Sequence, residues 1–308
     1  MTPKDLPPII FWGTPPFAVP LLAALHARRA VRAVVTQPDR KQGRGRRTEA
    51  RSAVKEFAIA NHLPTVQPER QDAKFISELT PHLPALFCVV AYGALIPKNV
   101  LTLSTPEAVN VHPSLLPALR GPSPIQAAVR MGLRETGITV MQLDAELDHG
   151  PILAQEKILL VERETAETLS ERCAQLAAQF VPDVIKGYVA GLIKPRPQDH
   201  AKATYSKLLT ADYAALDFTR PAEELDRLIR SAYPWPGAYF VLNVRRIKVI
   251  DARPVAESPD RRFALTPDGT LRIACGRGSL DVATLQPENS RIMSAKDFVN
   301  GYPRLLEI

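Results

Sequence analysis

The sequence predicts an α/β chain in two parts: a doubly wound, mostly parallel sheet over residues 1–189, and a smaller C-terminal β-barrel over 208–308. Three observations carry this. Apolar runs of strand length alternate with helical patterns up to about residue 145, as in a parallel sheet covered on both faces. Residues 190–207 are rich in Pro, Lys and Gln, which marks a linker. One helical stretch and several short alternating strands follow, separated by turns as in small barrels.

Taken in order, Ile9–Gly13 is a first buried strand, and Thr14-Pro15-Pro16-Phe17 turns into a helix reaching about Arg28. Proline suits that first turn, where its missing N–H would be unpaired anyway. Pro15 and Pro16 stand where a dinucleotide-binding G-x-G-x-x-G needs glycines, which argues against a nicotinamide or flavin dinucleotide. A second strand, Val31–Thr36, leads through Gln37-Pro38-Asp39-Arg40 into a basic segment. Helical patterns follow at Ser52–Asn61 and Asp72–Leu79, then a continuous apolar strand, Ala85–Val90. Just past its end, Tyr92-Gly93-Ala94-Leu95-Ile96 is either ordinary core or the lining of a pocket for a flat heterocycle.

The next strand, Ala108–His112, breaks at Pro113. Alternation puts Asn110 and His112 on one face, at the end of the strand where open α/β sheets bind ligands. Strand Gly137–Leu143 then feeds a loop carrying Asp144, Glu146 and Asp148. The two loops are expected to offer an amide, an imidazole and a carboxylate at the same sheet edge. Those are the parts of a site that holds a carbonyl oxygen and moves a proton. Residues Gly150–Val161 form a further strand or two, and Thr165–Val189 a long helix with capping-box spacing at Thr168–Glu171. The C-terminal part opens with a helix, Ala222–Ser231, followed by strands such as Arg246–Ile250 and Leu271–Cys275.

Composition narrows the class. A chain of 308 residues, 45% hydrophobic, has ample material for two cores. No apolar run approaches the ~20 residues of a membrane span, and no secretory h-region follows the N-terminus. Cys88, Cys173 and Cys275 are far apart and lack metal-ligand spacing, so they are expected to be buried thiols of a reducing cytoplasm. Of the net charge of +7, residues 40–51 alone supply +5, from six basic residues against Glu49. Such a patch, with Gly43 and Gly45 between the arginines, suits a loop that orders on a polyanion; the alternative is a solvated charged loop.

The motifs Phe11-Trp12-Gly13-Thr14-Pro15-Pro16-Phe17-Ala18-Val19-Pro20, Gln37-Pro38-Asp39-Arg40, Asn110-Val111-His112-Pro113-Ser114-Leu115-Leu116-Pro117, Leu147-Asp148-His149-Gly150 and Met293-Ser294-Ala295-Lys296-Asp297-Phe298 together resemble methionyl-tRNA formyltransferase. The match is collinear over nearly the whole chain. It implies a Rossmann-like N-terminal domain, an OB-like C-terminal barrel that holds tRNA, and formyl transfer from 10-formyltetrahydrofolate to the α-amino group of methionine on initiator tRNA. It implies Asn110, His112 and Asp148 as the catalytic set. Tyr92, Gly93, Ala94, Leu95 and Ile96, with Ser114, Leu115, Leu116 and Pro117, match folate-binding positions. Arg40, Lys41, Arg44, Arg46 and Arg47 are assigned to tRNA, Arg44 matching the arginine that meets the acceptor end. Trp12, and Lys41 where a proline often stands, depart from the family pattern.

The chemistry agrees with the resemblance. An α-amine with a pKa near ~8 is partly neutral in the cell and needs no covalent enzyme intermediate. Its attack makes a tetrahedral oxyanion, which Asn110 and protonated His112 are expected to stabilise, with Asp148 holding His112 charged and relaying the proton. No metal is implied, and the expectation is a cytoplasmic monomer that does not engage membranes. The same catalytic residues serve formylation of nucleotide amino sugars or hydrolysis of formylfolate, neither of which needs the basic loop. A tRNA-binding module on a degenerate enzyme fold is the alternative outside catalysis.

Overall fold

A computed structural model describes residues 6–42, 48–144 and 146–302. The chain forms two compact units. The first runs to Pro124 and adds Glu135–Leu159 and Ser170–Ser206; the second comprises Ile125–Arg134, Leu160–Leu169 and the chain from Lys207.

In chain order the first elements are β1 (Ile9–Gly13), α1 (Val19–Ala27), β2 (Val31–Val35), β3 (Arg40–Gln42), β4 (Thr48–Ala50), α2 (Ala53–Ala60), β5 (Thr65–Val66) and α3 (Ala73–Leu79). They continue with β6 (Leu86–Val90), α4 (Lys98–Leu101), β7 (Val109–His112), α5 (Pro124–Met131), β8 (Glu135–Gln142), β9 (Ile152–Leu159) and α6 (Ala166–Val189). The main sheet has the order β5-β2-β1-β6-β7-β8-β9. Its pairs from β5 to β7 are parallel, and β7-β8 and β8-β9 are antiparallel. Every residue of β1 and β6 is buried, which explains their unbroken apolar runs: both faces of the sheet are covered there.

Local chemistry sets the helix starts. The Ser52 hydroxyl accepts from Lys55 N, and the Asp72 carboxylate from Lys74 N and Phe75 N, each satisfying N–H groups the helix leaves open. Helix α6 begins earlier than its capping-box spacing suggested. Thr165 Oγ1 accepts from Thr168 N, and Thr168 Oγ1 accepts from Thr165 N, so Thr168 is the reciprocal partner of the cap and Glu171 lies inside the helix. Residues 190–206 belong to the first unit, joined to it by paired backbone bonds between Ile152 and Arg196 and by single bonds from Arg120 N to Thr204 O and from Ser206 N to Arg120 O.

The second unit contains α7 (Ala222–Ala232), β10 (Tyr239–Leu242), β11 (Arg245–Val255), β12 (Phe263–Leu265), β13 (Leu271–Ala274), β14 (Ser279–Pro287), β15 (Met293–Ser294) and α8 (Ala295–Gly301). Its strands form one antiparallel, barrel-like sheet, β10-β11-β14-β13-β12, with β15 on β14. Leu225, Leu228, Ile229 and Ala232 of α7 recur at helical spacing and join Phe240, Ile247, Ile273, Val282 and Phe298 in its core. Asp226 on the same helix is buried between Arg163 (3.1 Å) and Arg230 (2.9 Å).

One expectation about the cysteines is corrected. Cys88 and Cys173 are buried, but Cys275 lies near the end of β13 and is only half-buried. Burial pushes the Cys88 thiol up to about 12 and that of Cys275 to about 11.

Candidate active site

Strands β1, β6 and β7 run parallel, so Thr14, Ala91 and His112 leave the sheet at one edge, on both sides of the point where strand order reverses. Thr14 of the Gly-Thr-Pro turn donates its hydroxyl to the Tyr92 carbonyl (2.8 Å). Gln71 donates to the Leu95 carbonyl (2.8 Å). The 92–96 segment is thus held at two places. Tyr92 is buried, Gly93 and Ala94 are exposed, and Leu95 is 79% exposed, an apolar side chain presented to solvent just past a strand end.

The route by which the carboxylate reaches the imidazole differs from the expectation. Strand β8 is antiparallel to β7, pairing Val109 with Gln142 and His112 with Thr139. The end of β8 therefore lies beside the start of β7, about three residues or ~10 Å from His112. The loop after Gln142 turns back, and it is this return that sets Asp148 against His112. Gly150 permits it: a Cβ there would fall 1.9 Å from the Gln142 carbonyl oxygen.

At the site, His112 Nδ1 faces Asp148 Oδ1 at 3.6 Å, and His112 Nε2 lies 3.0 Å from the Leu119 carbonyl. Asp148 Oδ2 accepts from Gly121 N (2.7 Å). Gly121 has φ +102°, and a side chain on it would meet the Ser206 backbone. Asp148 and Leu119 also adopt left-handed backbone, φ +52° and +58°, which is uncommon for any residue and more so for leucine. Such strain gathers at functional sites. Both His112 and Asp148 are buried. Burial pulls the His112 pKa below its ordinary value, against the upward pull of Asp148 and the Leu119 carbonyl. Asn110 shares the strand face of His112, is half-buried, and its carboxamide has no hydrogen-bond partner among the described residues.

The Ser114–Pro117 segment is braced from beneath. Thr139 Oγ1 donates to Ser114 O (2.6 Å) and accepts from Leu116 N (3.1 Å) and Gln155 Nε2 (2.9 Å). The Ser114 hydroxyl donates to the Ala118 carbonyl (2.6 Å) and is buried, whereas Leu115 and Pro117 are partly exposed.

Of the basic loop, Arg40 is exposed at the start of β3, Lys41 lies in that strand, and Arg44, Arg46 and Arg47 fall outside the described residues. The backbones of β3 and β4 pair antiparallel, Arg40 with Ala50 and Gln42 with Thr48. Asp39, before them, is anchored by Lys55 and Gln67; hydrogen bonds from these two hold its carboxyl below the usual range.

Two site residues carried no readable signal in the sequence. Arg120 and Gln198 are buried and bonded to each other beneath Asp148. His149 Nδ1 pairs with Asp144 (2.7 Å), and its ring stacks on His200 at 4.0 Å. Among the described residues no His, Cys, Asp and Glu side chains cluster to hold a metal ion, and no helix is long and apolar enough to cross a membrane.

Known proteins match this chain along its length. Residues 8–185 match the formyl transferase family and 208–303 the formyl transferase C-terminal domain. A methionyl-tRNA formyltransferase of Myxococcus xanthus is 41% identical over 96% of this chain and 95% of its own. One of Roseiflexus is 40% identical over 95% and 92%. An N-formyltransferase of Helicobacter canadensis, solved with folinic acid and dTDP-3-aminofucose, shares the fold at a TM-score of 0.68 and 16% identity, covering 90% of this chain and 99% of its own. HypX from Aquifex aeolicus shares it at a TM-score of 0.67 and 14% identity, covering 99% of this chain and 49% of its own. By its sequence, matched over about 96% of its length, the chain belongs to the methionyl-tRNA formyltransferase family.

Proposed function

We propose that this chain transfers the formyl group of 10-formyltetrahydrofolate to the α-amino group of methionine on initiator tRNA, acting as a cytoplasmic monomer. Residues 1–189 carry the transfer site, 208–308 contribute to tRNA binding, and 190–207 join the two. The observation that carries the reading is the buried His112–Asp148 pair, on a strand face shared with an Asn110 carboxamide that has no hydrogen-bond partner among the described residues, in a chain of this family.

The folate supplies the formyl carbon as electrophile. The carboxamide of Asn110 and the exposed apolar Leu95 suit such a ligand, one offering a donor for the formyl oxygen and the other a surface for a flat ring. Asn110 donates to the formyl oxygen as negative charge gathers there. In place of the expected ring held charged by Asp148, His112 rests as neutral imidazole, because burial, which favours the uncharged form, outweighs the pull of the carboxylate. His112 Nδ1 takes the proton released by the amine as the new C–N bond forms, and returns it to the folate nitrogen as the tetrahedral intermediate collapses and the donor C–N bond breaks, releasing formyl-methionyl-tRNA and tetrahydrofolate. In the imidazolium both nitrogens then face acceptors, Nε2 the Leu119 carbonyl and Nδ1 the Asp148 carboxylate. Asp148 therefore favours the state reached during reaction more than the resting state. The 92–96 and 114–117 segments bind the folate, and Arg40, Lys41, Arg44, Arg46 and Arg47 meet tRNA phosphates.

The test is a transfer assay with 10-formyltetrahydrofolate and initiator methionyl-tRNA, beside an elongator control. Formylation of the initiator alone is expected. Absence of transfer to tRNA with transfer to a nucleotide amino sugar would replace the acceptor.

A further inference from the structure

We propose that Gln198 is a positioning residue for Asp148, an inference that rests on the assignment of Asp148 to the catalytic set. Gln198 lies in the stretch between the two units' main sheets in sequence, 50 residues from Asp148, yet the residue is only 6% exposed. Its carboxamide is fully used. Oε1 accepts from Arg120 Nε (3.2 Å) and Nη2 (2.7 Å), and Nε2 donates to the carbonyls of Asp148 (2.9 Å) and Gly150 (2.8 Å). The orientation of the amide follows from its partners: a guanidinium cannot accept and a carbonyl cannot donate.

These bonds close a ring around the catalytic carboxylate. Arg120 is tied to residues 204–206 by its backbone, N to Thr204 O (2.9 Å) and O from Ser206 N (2.7 Å). Its Nη2 also donates to His200 Nδ1 (2.8 Å). The next residue, Gly121, gives its N–H to Asp148 Oδ2. Asp148 is therefore gripped by its side chain through Gly121 and by its main chain through Gln198, both referred to Arg120. Asp148 lies in the loop between β8 and β9, outside any strand ladder, and Gln198 supplies a donor for its carbonyl. Loss of those donors frees the turn to relax, and the 3.6 Å approach of Asp148 to His112 depends on that turn. A shift of about 1 Å in a catalytic group costs on the order of 10²-fold in rate.

Gln198→Glu separates this role from simple anchoring of the 190–206 stretch. It keeps an acceptor for Arg120 and removes both donors to the Asp148 loop. The expected result is a fall in kcat of roughly 10- to 100-fold, with KM for folate and tRNA within about twofold. The acid limb of the pH–rate profile moves to lower pH, because a displaced carboxylate no longer helps His112 accept its proton. In an Asp148→Asn background the same change adds little, since both act through one carboxylate. An equal fall in both backgrounds, or unchanged turnover in the parent, overturns the proposal. Severe loss in Asp148→Asn with a harmless Gln198→Glu overturns the positioning role alone; an active Asp148→Asn overturns the catalytic reading with it. Should Gln198→Glu fail to fold, Gln198→Met, of similar volume and without donors, is measured in the same two backgrounds against the same expectations.

Discussion

Replacing Asp148 by asparagine removes one charge and almost no volume. Its Oδ1 lies 3.6 Å from His112 Nδ1, and both side chains are buried. At an effective dielectric constant of about 20, unit charges at that separation attract by about 5 kcal/mol. The attraction acts only on the imidazolium, and burial keeps the resting imidazole neutral, so its loss falls mainly on the transition state. Converted at about 1.4 kcal/mol per tenfold, the ceiling is between about 10³- and 10⁴-fold in kcat. Solvent and backbone relaxation recover part of it, so the expected loss is roughly 10²- to 10³-fold. The asparagine oxygen can still accept from Gly121 N, which places its amide N–H₂ toward His112 Nδ1. That contact stabilises the neutral ring and deepens the loss. The assay is single-turnover transfer with both substrates saturating near neutral pH, beside a thermal melt. Turnover within about tenfold of the parent, in a chain that melts at the parent's temperature, would falsify the electrostatic role given to Asp148.

Three further outcomes follow from named contacts. Because the folded His112 pKa lies below its ordinary 6.5, the unfolded chain binds the extra proton first as pH falls. The stability contributed by burying the neutral ring is thus complete above that value and is lost below it. In His112→Asn the fall in stability on acidification below 6.5 is shallower in urea titrations; an identical slope refutes the burial argument. Arg44→Ala weakens tRNA use and lowers its salt slope by about one, leaving folate binding intact; an unchanged slope returns the loop to an ordinary solvated surface. Asp226→Ala removes the carboxylate shared by Arg163 and Arg230 and destabilises the second unit by roughly 2–3 kcal/mol, below the ~3–5 of a fully buried pair because Arg163 is partly exposed and keeps Asp251 and the Ala252 carbonyl, while Arg230 keeps the Glu164 carbonyl. Denaturant midpoints read this, and an unshifted transition removes the pair from the account of stability.

The sequence by itself determined the longer buried strands and most of the long helices and pointed to the chemistry, whereas α4, α5 and the short strands β3, β4 and β5 were not legible in it. The apolar runs of β1 and β6, the caps Ser52 and Asp72, and the Asn110–His112 spacing are each decided within a few residues, by periodicity and turn chemistry. The family motifs added the activity and the pairing of His112 with Asp148. Only the tertiary structure decided that β8 runs antiparallel, so that Asp148 arrives by a returning loop and not from the end of a neighbouring parallel strand. It alone joined Arg120 to Gln198, 78 residues apart, beneath that loop, and made burial the dominant influence on His112. The reason is physical: strand direction, desolvation and hydrogen bonds between distant residues depend on which surfaces pack together, and no local pattern encodes that packing.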